Sequence, residues 1–218
     1  MSLDRHKRSR LLGLGALLAP RKAIYLDLCF WILLRDAMRT GESDRGLQML
    51  SMLRGLVKAG VVFCPISDST FLELFKQTDS ASRLATAKLI DELSLGVTLV
   101  PFDLRVETEI AHYVHSAKPG SSVYPLREQA WSKLSFVMGF VHPTKMAFDA
   151  ATNLAIQKAF FDHLWDNVSL VQMCSLLGEA FVRADPLHLR QTSAKLNEQN
   201  QIHAAELKSF RKRAAEAL

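Results

Sequence analysis

Apolar positions along the first half of the chain follow two rhythms. From Asp44 to Lys58 they fall at Leu47, Leu50, Leu53 and Val57, the spacing of one face of a helix. Gly60 stands where a C-terminal cap glycine belongs. Three short apolar runs interrupt this rhythm: AIYL at Ala23–Leu26, VVFCPI at Val61–Ile66 and VTLVPF at Val97–Phe102. Each reads as a buried strand. Helical stretches separate them. LCFWILLRDAMR follows the first run, and TGES (Thr40–Ser43) makes a turn before the Asp44–Lys58 helix. After the second run, Ser67 is placed to cap a helix whose first turn holds Asp68, and a further helix spans Ser80–Leu93. Asp103 and LRVETEIAHYVHS form another helix after the third run. Residues 4–18 predict a short helix ended by Pro20 and the basic pair Arg21 and Lys22. Strands alternating with helices predict an α/β fold, a parallel sheet flanked by helices.

The second half reads differently. Lys118–Pro125 (KPGSSVYP) is a loop, and from Leu126 onward the pattern is helical, with Val168–Met173 the one strand-like exception. From Pro186 the chain is polar, rich in Gln and Ala, and reads as a long exposed helix. The organisation expected is a basic N-terminal helix or arm at 1–22, an α/β domain with a helical C-terminal half at 23–185, and an exposed, basic helical tail at 186–218. Apolar positions of that tail, Leu189, Leu196, Ile202, Leu207 and Phe210, are too irregular for a heptad seam but can form one face of a docking helix.

Composition narrows the class without naming it. In 218 residues, 49% are hydrophobic and 22% charged, which excludes disordered, collagen-like and disulfide-scaffold chains. The net charge of +5 is concentrated at the ends. Residues 1–22 and 189–218 are basic, and the body between them is slightly acidic, a distribution that fits an acidic metal site beside phosphate-attracting ends. Cys29, Cys64 and Cys174 lie apart in apolar stretches without CxxC spacing, as buried free thiols of a reducing, cytoplasmic setting do. The apolar region Leu11–Leu34 is broken by Arg21, Lys22 and Asp27, so no membrane span is expected.

Ligands of open parallel sheets sit beyond the carboxyl ends of the strands. Asp27 follows the first strand, Ser67 and Asp68 follow the second, and Glu73 lies in the helix leaving that same edge. Helical rise places Glu73 about 9 Å along the axis from Ser67. Two carboxylates at one edge suit a cation between them, and Mg²⁺ or Mn²⁺ prefers such oxygen ligands. The plainer roles are an N-cap for Asp27 and a surface charge for Glu73. Glu73 lies in the apolar stretch STFLELF, however, where an inward-facing acid without a partner is costly.

IYLDLCFWILLRDA, an apolar strand ending in Asp and then a helix, resembles the opening of PIN-domain nucleases. VVFCPISDSTFLELF resembles their second motif, an apolar strand, a small polar residue and a Glu-Leu pair in a helix. The resemblance spans residues 23–110. It implies a PIN-like fold and a metal-dependent endoribonuclease in which several acids hold one or two divalent ions, Mg²⁺ or Mn²⁺, with Asp27 and Glu73 as the first ligands. Asp149, in FDAATNLAIQKAF, loosely resembles the family's third acid and equally reads as an ordinary polar helix residue. The fourth acidic element has no counterpart. The partner implied is RNA or single-stranded nucleic acid, and small members of the family act as toxins restrained by a partner.

Other clusters read as structural. His112 and His115 are spaced for one helix face but have no third ligand nearby. Asp162, His163 and Asp166 read as the solvated side of a helix whose Phe160, Phe161, Leu164 and Trp165 face the core, and Trp131, Phe136 and Phe140 read as packing residues. No phosphate-binding GxxxxGK[ST] or GxSxG motif occurs. The alternative to a nuclease is a catalytically inactive PIN-like module that docks a protein partner or a second copy through its helical C-terminal part.

Overall fold

The computed structural model describes residues 2–41, 44–120, 122–137 and 148–175. Expectations for Phe140 and for the 186–218 tail lie outside the described residues. The fold begins with helix α1 (Leu3–Leu18), capped by the Ser2 side chain. Strand β1 (Lys22–Ala23) leads to α2 (Leu28–Thr40), α3 (Asp44–Lys58), strand β2 (Val62–Phe63), α4 (Asp68–Phe75) and α5 (Ser80–Ser94). Strand β3 (Val97–Leu99), α6 (Phe102–Ser116), a short 3-10 turn (Leu126–Glu128), strand β4 (Trp131–Lys133), α7 (Leu134–Val137) and α8 (Ala150–Asn167) follow.

Helix ends sit where local chemistry puts them. Gly41 closes α2 at φ +69°, and its N–H donates to the Ala37 carbonyl. After α3, the Gly60 N–H reaches Val57 and the Val61 N–H reaches Leu56, the double bond of a Schellman cap, with Gly60 at φ +72°. Ser67 caps α4 by accepting from the Thr70 N–H at 3.3 Å. Asp79 caps α5 through the Ser82 N–H at 2.9 Å.

The strands are shorter than the apolar runs that predict them, and among the described residues they form two two-stranded sheets, one parallel and one antiparallel. β1 and β2 are parallel, with Lys22 opposite Val62 and Ala23 opposite Phe63. A single parallel bridge, Ile66 to Thr98, links the β2 segment to β3. β4 runs antiparallel to β3, with Val97 opposite Lys133 and Leu99 opposite Trp131. The wholly parallel sheet expected from alternation is therefore not what forms. Pro65 has no N–H, and the Cys64 N–H is taken by the Leu93 carbonyl, so the second run pairs only at its two ends. Phe102, read as the end of the third run, instead opens α6.

Helices cover the strands. Phe63 and Val97 pack with Leu14 and Leu18 of α1 and with Phe161 and Trp165 of α8, against which Trp131 and Phe136 also lie. Strand alternation sends Val62 and Cys64 the other way, where α3 and α5 meet β2. Trp31, Leu34, Leu50, Leu74, Ile90 and Leu93 fill that core, with Trp31 wholly buried. Burying such side chains contributes about 1.5–3 kcal/mol each relative to exposure.

Four readings are corrected. β4 is a strand in a stretch read as helical. Residues 170–175 are helical, although Val168–Met173 reads as strand-like, and the Asp91 carboxylate caps them by accepting from Leu170 N–H at 2.8 Å and Val171 N–H at 2.9 Å. Cys29 is exposed, because it falls on the outer face of α2, whereas Cys64 and Cys174 are buried. Asp162 and Asp166 are not simply solvated: Asp162 accepts from His6 Nε2 at 2.9 Å and meets Arg10 Nε at 3.4 Å, and Asp166 pairs with Arg10. These pairs dock α1 on α8. Arg10 also lies 5.8 Å over the Trp165 ring. The basic N-terminal segment is thus a packed helix, not a loose arm. No helix among the described residues is long and apolar enough to cross a membrane.

Candidate functional site

The site is built where the chain leaves β1 and β2. Ile24 N–H donates to the Phe63 carbonyl, the last bond of the parallel pair, and three residues later Asp27 begins α2. Buried Trp31 fixes this turn from within, its indole N–H donating to the Leu26 carbonyl at 3.0 Å. Asp27 caps α2 by accepting from the Leu28 N–H at 2.9 Å through Oδ1. Its Oδ2 faces the Cys29 Sγ at 3.5 Å. Desolvation and this hydrogen bond push the Cys29 thiol up, keeping it protonated beside the carboxylate.

The second strand delivers α4 to the same edge. Thr70, Phe71, Leu74 and Phe75 are buried, which leaves Leu72, Glu73 and Lys76 on the outer face. Glu73 is therefore exposed, and the cost expected of an inward acid in STFLELF does not arise. Its carboxylate has no hydrogen bond or ion pair among the described residues. Asp68, half-buried in the first turn, accepts from the Ser69 N–H at 2.9 Å.

A hydroxyl cluster joins the two strand ends. The Tyr25 hydroxyl lies 3.0 Å from Ser67 Oγ and 2.9 Å from Thr70 Oγ1. Ser67 Oγ in turn lies 2.7 Å from Ser69 Oγ. Tyr25 thus ties the segment carrying Asp27 to the first turn of the helix carrying Glu73. Sequence reading places Ser67 correctly as a cap but misses Tyr25. The signal available was a tyrosine two residues before Asp27 in an otherwise aliphatic run.

Asp149 has a different setting. It caps α8, accepting from the Ala151 and Thr152 N–H groups at 2.9 and 3.0 Å and from the Thr152 hydroxyl at 2.6 Å. The Thr152 hydroxyl, with these amides, holds its carboxyl below the usual range. Among the described residues no three or more His, Cys, Asp or Glu side chains gather as a metal-holding group. Asp27, Glu73 and Asp149 are therefore not assembled into one triad. The donor chemistry of the edge still suits a hard cation, since Mg²⁺ keeps several waters and takes one or two carboxylates plus substrate phosphates.

Compared with known proteins, the chain matches no family model, no curated protein and no solved structure.

Proposed function

We propose that this chain is a Mg²⁺- or Mn²⁺-dependent, PIN-like endonuclease that hydrolyses phosphodiester bonds in RNA or other single-stranded nucleic acid. One observation carries the reading. Two exposed carboxylates, Asp27 and Glu73, stand on the two helices that leave the carboxyl ends of the parallel pair, and the Tyr25 hydroxyl joins those helix starts.

On this reading the Asp27 and Glu73 carboxylates would hold the ion, while the Leu28 N–H donating to Asp27 Oδ1 fixes the direction of that carboxylate. When bound, the ion supplies Lewis-acid stabilisation of phosphate charge and lowers the pKa of water. Tyr25 and Phe30 are about half exposed beside Asp27, and their rings offer stacking surfaces for unpaired bases.

A second reading, a non-catalytic module that docks a partner, is favoured by exposed apolar positions on α2, Phe30, Leu33 and Met38. Cleavage of labelled single-stranded RNA in Mn²⁺ separates the two. The nuclease reading expects activity that chelation abolishes and that Asp27→Asn lowers by at least about 100-fold, roughly 2.7 kcal/mol of barrier. Asn keeps the cap, so the variant stays folded. Equal activity in both proteins, or none in either, overturns it.

A further inference from the structure

A second concave site lies away from the acidic edge. A cavity of about 520 Å³ opens between α1, α6 and residues 122–129, within the usual range for small-molecule sites. Its two long walls are helix faces. On α1, Arg8, Leu11 and Leu12 have the spacing of one face. On α6 the lining runs from Leu104 through Glu107, Thr108 and Ala111 to His112 and His115, an unbroken i, i+3, i+4 stripe. Val100 and Phe136 add apolar surface.

Helix α6 explains why the cavity calls for an occupant. It has fifteen residues and none is buried, although its cavity-facing stripe begins with leucine. That stripe is mixed, with Leu104 and Ala111 among Glu107, Thr108, His112 and His115, and among the described residues it borders the cavity rather than a packed neighbour. The lining also has a polarity. Each wall sets nitrogen-bearing side chains beside apolar ones: Arg8 with Leu11 and Leu12 on α1, His112 and His115 with Leu104 and Ala111 on α6. Arg8 makes no ion pair among the described residues, and its guanidinium presents a fork of donors matched to a carboxylate. Glu107, the one acid among the described lining residues, opposes a second negative charge on the ligand.

We propose that the α1–α6 cavity binds a small amphipathic monoanion, an apolar chain or ring system bearing one carboxylate, with Arg8 and His112 at the anion and Leu11, Leu12, Leu104 and Phe136 around the apolar body.

Isothermal titration of the full chain with monomeric dodecanoate tests this, with dodecyltrimethylammonium as the cationic counterpart. Dodecanoate binds saturably at one site, and the cation binds at least about tenfold more weakly, a 1.4 kcal/mol difference. Arg8 and Ala111 are exposed, so both can be replaced without touching the core. Arg8→Gln weakens dodecanoate about tenfold and does not weaken the cation, and Ala111→Trp fills the cavity and abolishes binding of both. The proposal fails if dodecanoate shows no binding at about 1 mM. It also fails if the two amphiphiles bind equally, or if Ala111→Trp, with an unchanged melting temperature, binds as the wild type does.

Discussion

The Tyr25 hydroxyl, 2.9 Å from Thr70 Oγ1, bonds two segments that are 45 residues apart in the chain. It also meets Ser67, so one phenol couples the exit of β1 to the N-terminal turn of α4. Asp27 follows Tyr25 by two residues, and Glu73 lies one turn beyond Thr70, so the link ties the segments that carry both. Tyr25→Phe keeps the ring and deletes the hydroxyl. The expected loss is about 1 kcal/mol of stability, the usual net worth of a hydrogen bond, read as a lower urea midpoint with an unchanged slope. If the proposed nuclease reading holds, cleavage should fall further than stability alone explains, because the α4 turn is no longer held. A variant with unaltered midpoint and activity would show that the hydroxyl link positions nothing.

Two glycines of α1 should respond oppositely to alanine. A Cβ on Gly15 would lie 1.8 Å from the Glu128 carbonyl oxygen, a backbone atom with no side-chain freedom to yield. Gly13 has nothing within 4 Å of its Cβ position. Gly13→Ala should therefore stabilise by up to about 1 kcal/mol, from helix propensity. Gly15→Ala should destabilise by about 1–3 kcal/mol or more, from overpacking. Thermal melts of the two variants check the pair, and the same sign in both would refute the close packing of α1 on the 3-10 turn.

How far this was legible from sequence depends on the range of the interactions. The caps at Gly60, Ser67 and Asp27 and the span of α3 follow from residues within a turn of each other, and the apolar spacing finds them. β4 does not, because Trp131, Ser132 and Lys133 form a strand only by pairing with Val97–Leu99. Segment 170–175 looks strand-like and is helical because a carboxylate 79 residues earlier caps it. The same holds for Asp162, whose partner His6 is 156 residues away. Of the candidate site, Asp27 and Glu73 were legible as acids following strands. Tyr25 was not, since nothing local marks a phenol as a tie between helices.

Asp91 gives a pH prediction. Burial raises its pKa, while the Val171 and Leu170 N–H groups pull the other way. With the folded value above the unfolded one, about 3.9, the folded state holds the proton more tightly. Asp91 then contributes stability that is full below the unfolded pKa and is lost as pH rises through the folded one. Asp91→Asn lacks this dependence and retains an oxygen for the cap. Its melting temperature relative to wild type should rise between pH 3 and pH 7, about where carboxyls titrate. A relative fall across that window would mean that the charged carboxylate, not the neutral acid, is favoured in the fold.

The ion pairs between α1 and α8 should be modest contributors. Arg10 and Asp162 are about one-third exposed, and pairs of that kind are typically worth about 0.2–1 kcal/mol. Arg10→Met keeps an apolar stem but removes the charge and the guanidinium over Trp165. It should cost within that range at low salt and less at high salt, where screening already weakens the wild-type pairs. A salt-independent cost would assign the effect to the lost guanidinium contact with the Trp165 ring rather than to the ion pairs.

The central claim is that Asp27 and Glu73 hold one divalent ion. Titration of Mn²⁺ into ¹⁵N-labelled full-length protein tests it most directly, because paramagnetic broadening reports distance to the ion. The account predicts early, joint broadening of the amides of Leu28–Phe30 and of Leu72–Leu74, reversed by excess Mg²⁺ and lost at both places in Asp27→Asn and in Glu73→Gln. Broadening confined to one of the two helices, or persisting in either variant, would contradict a shared site.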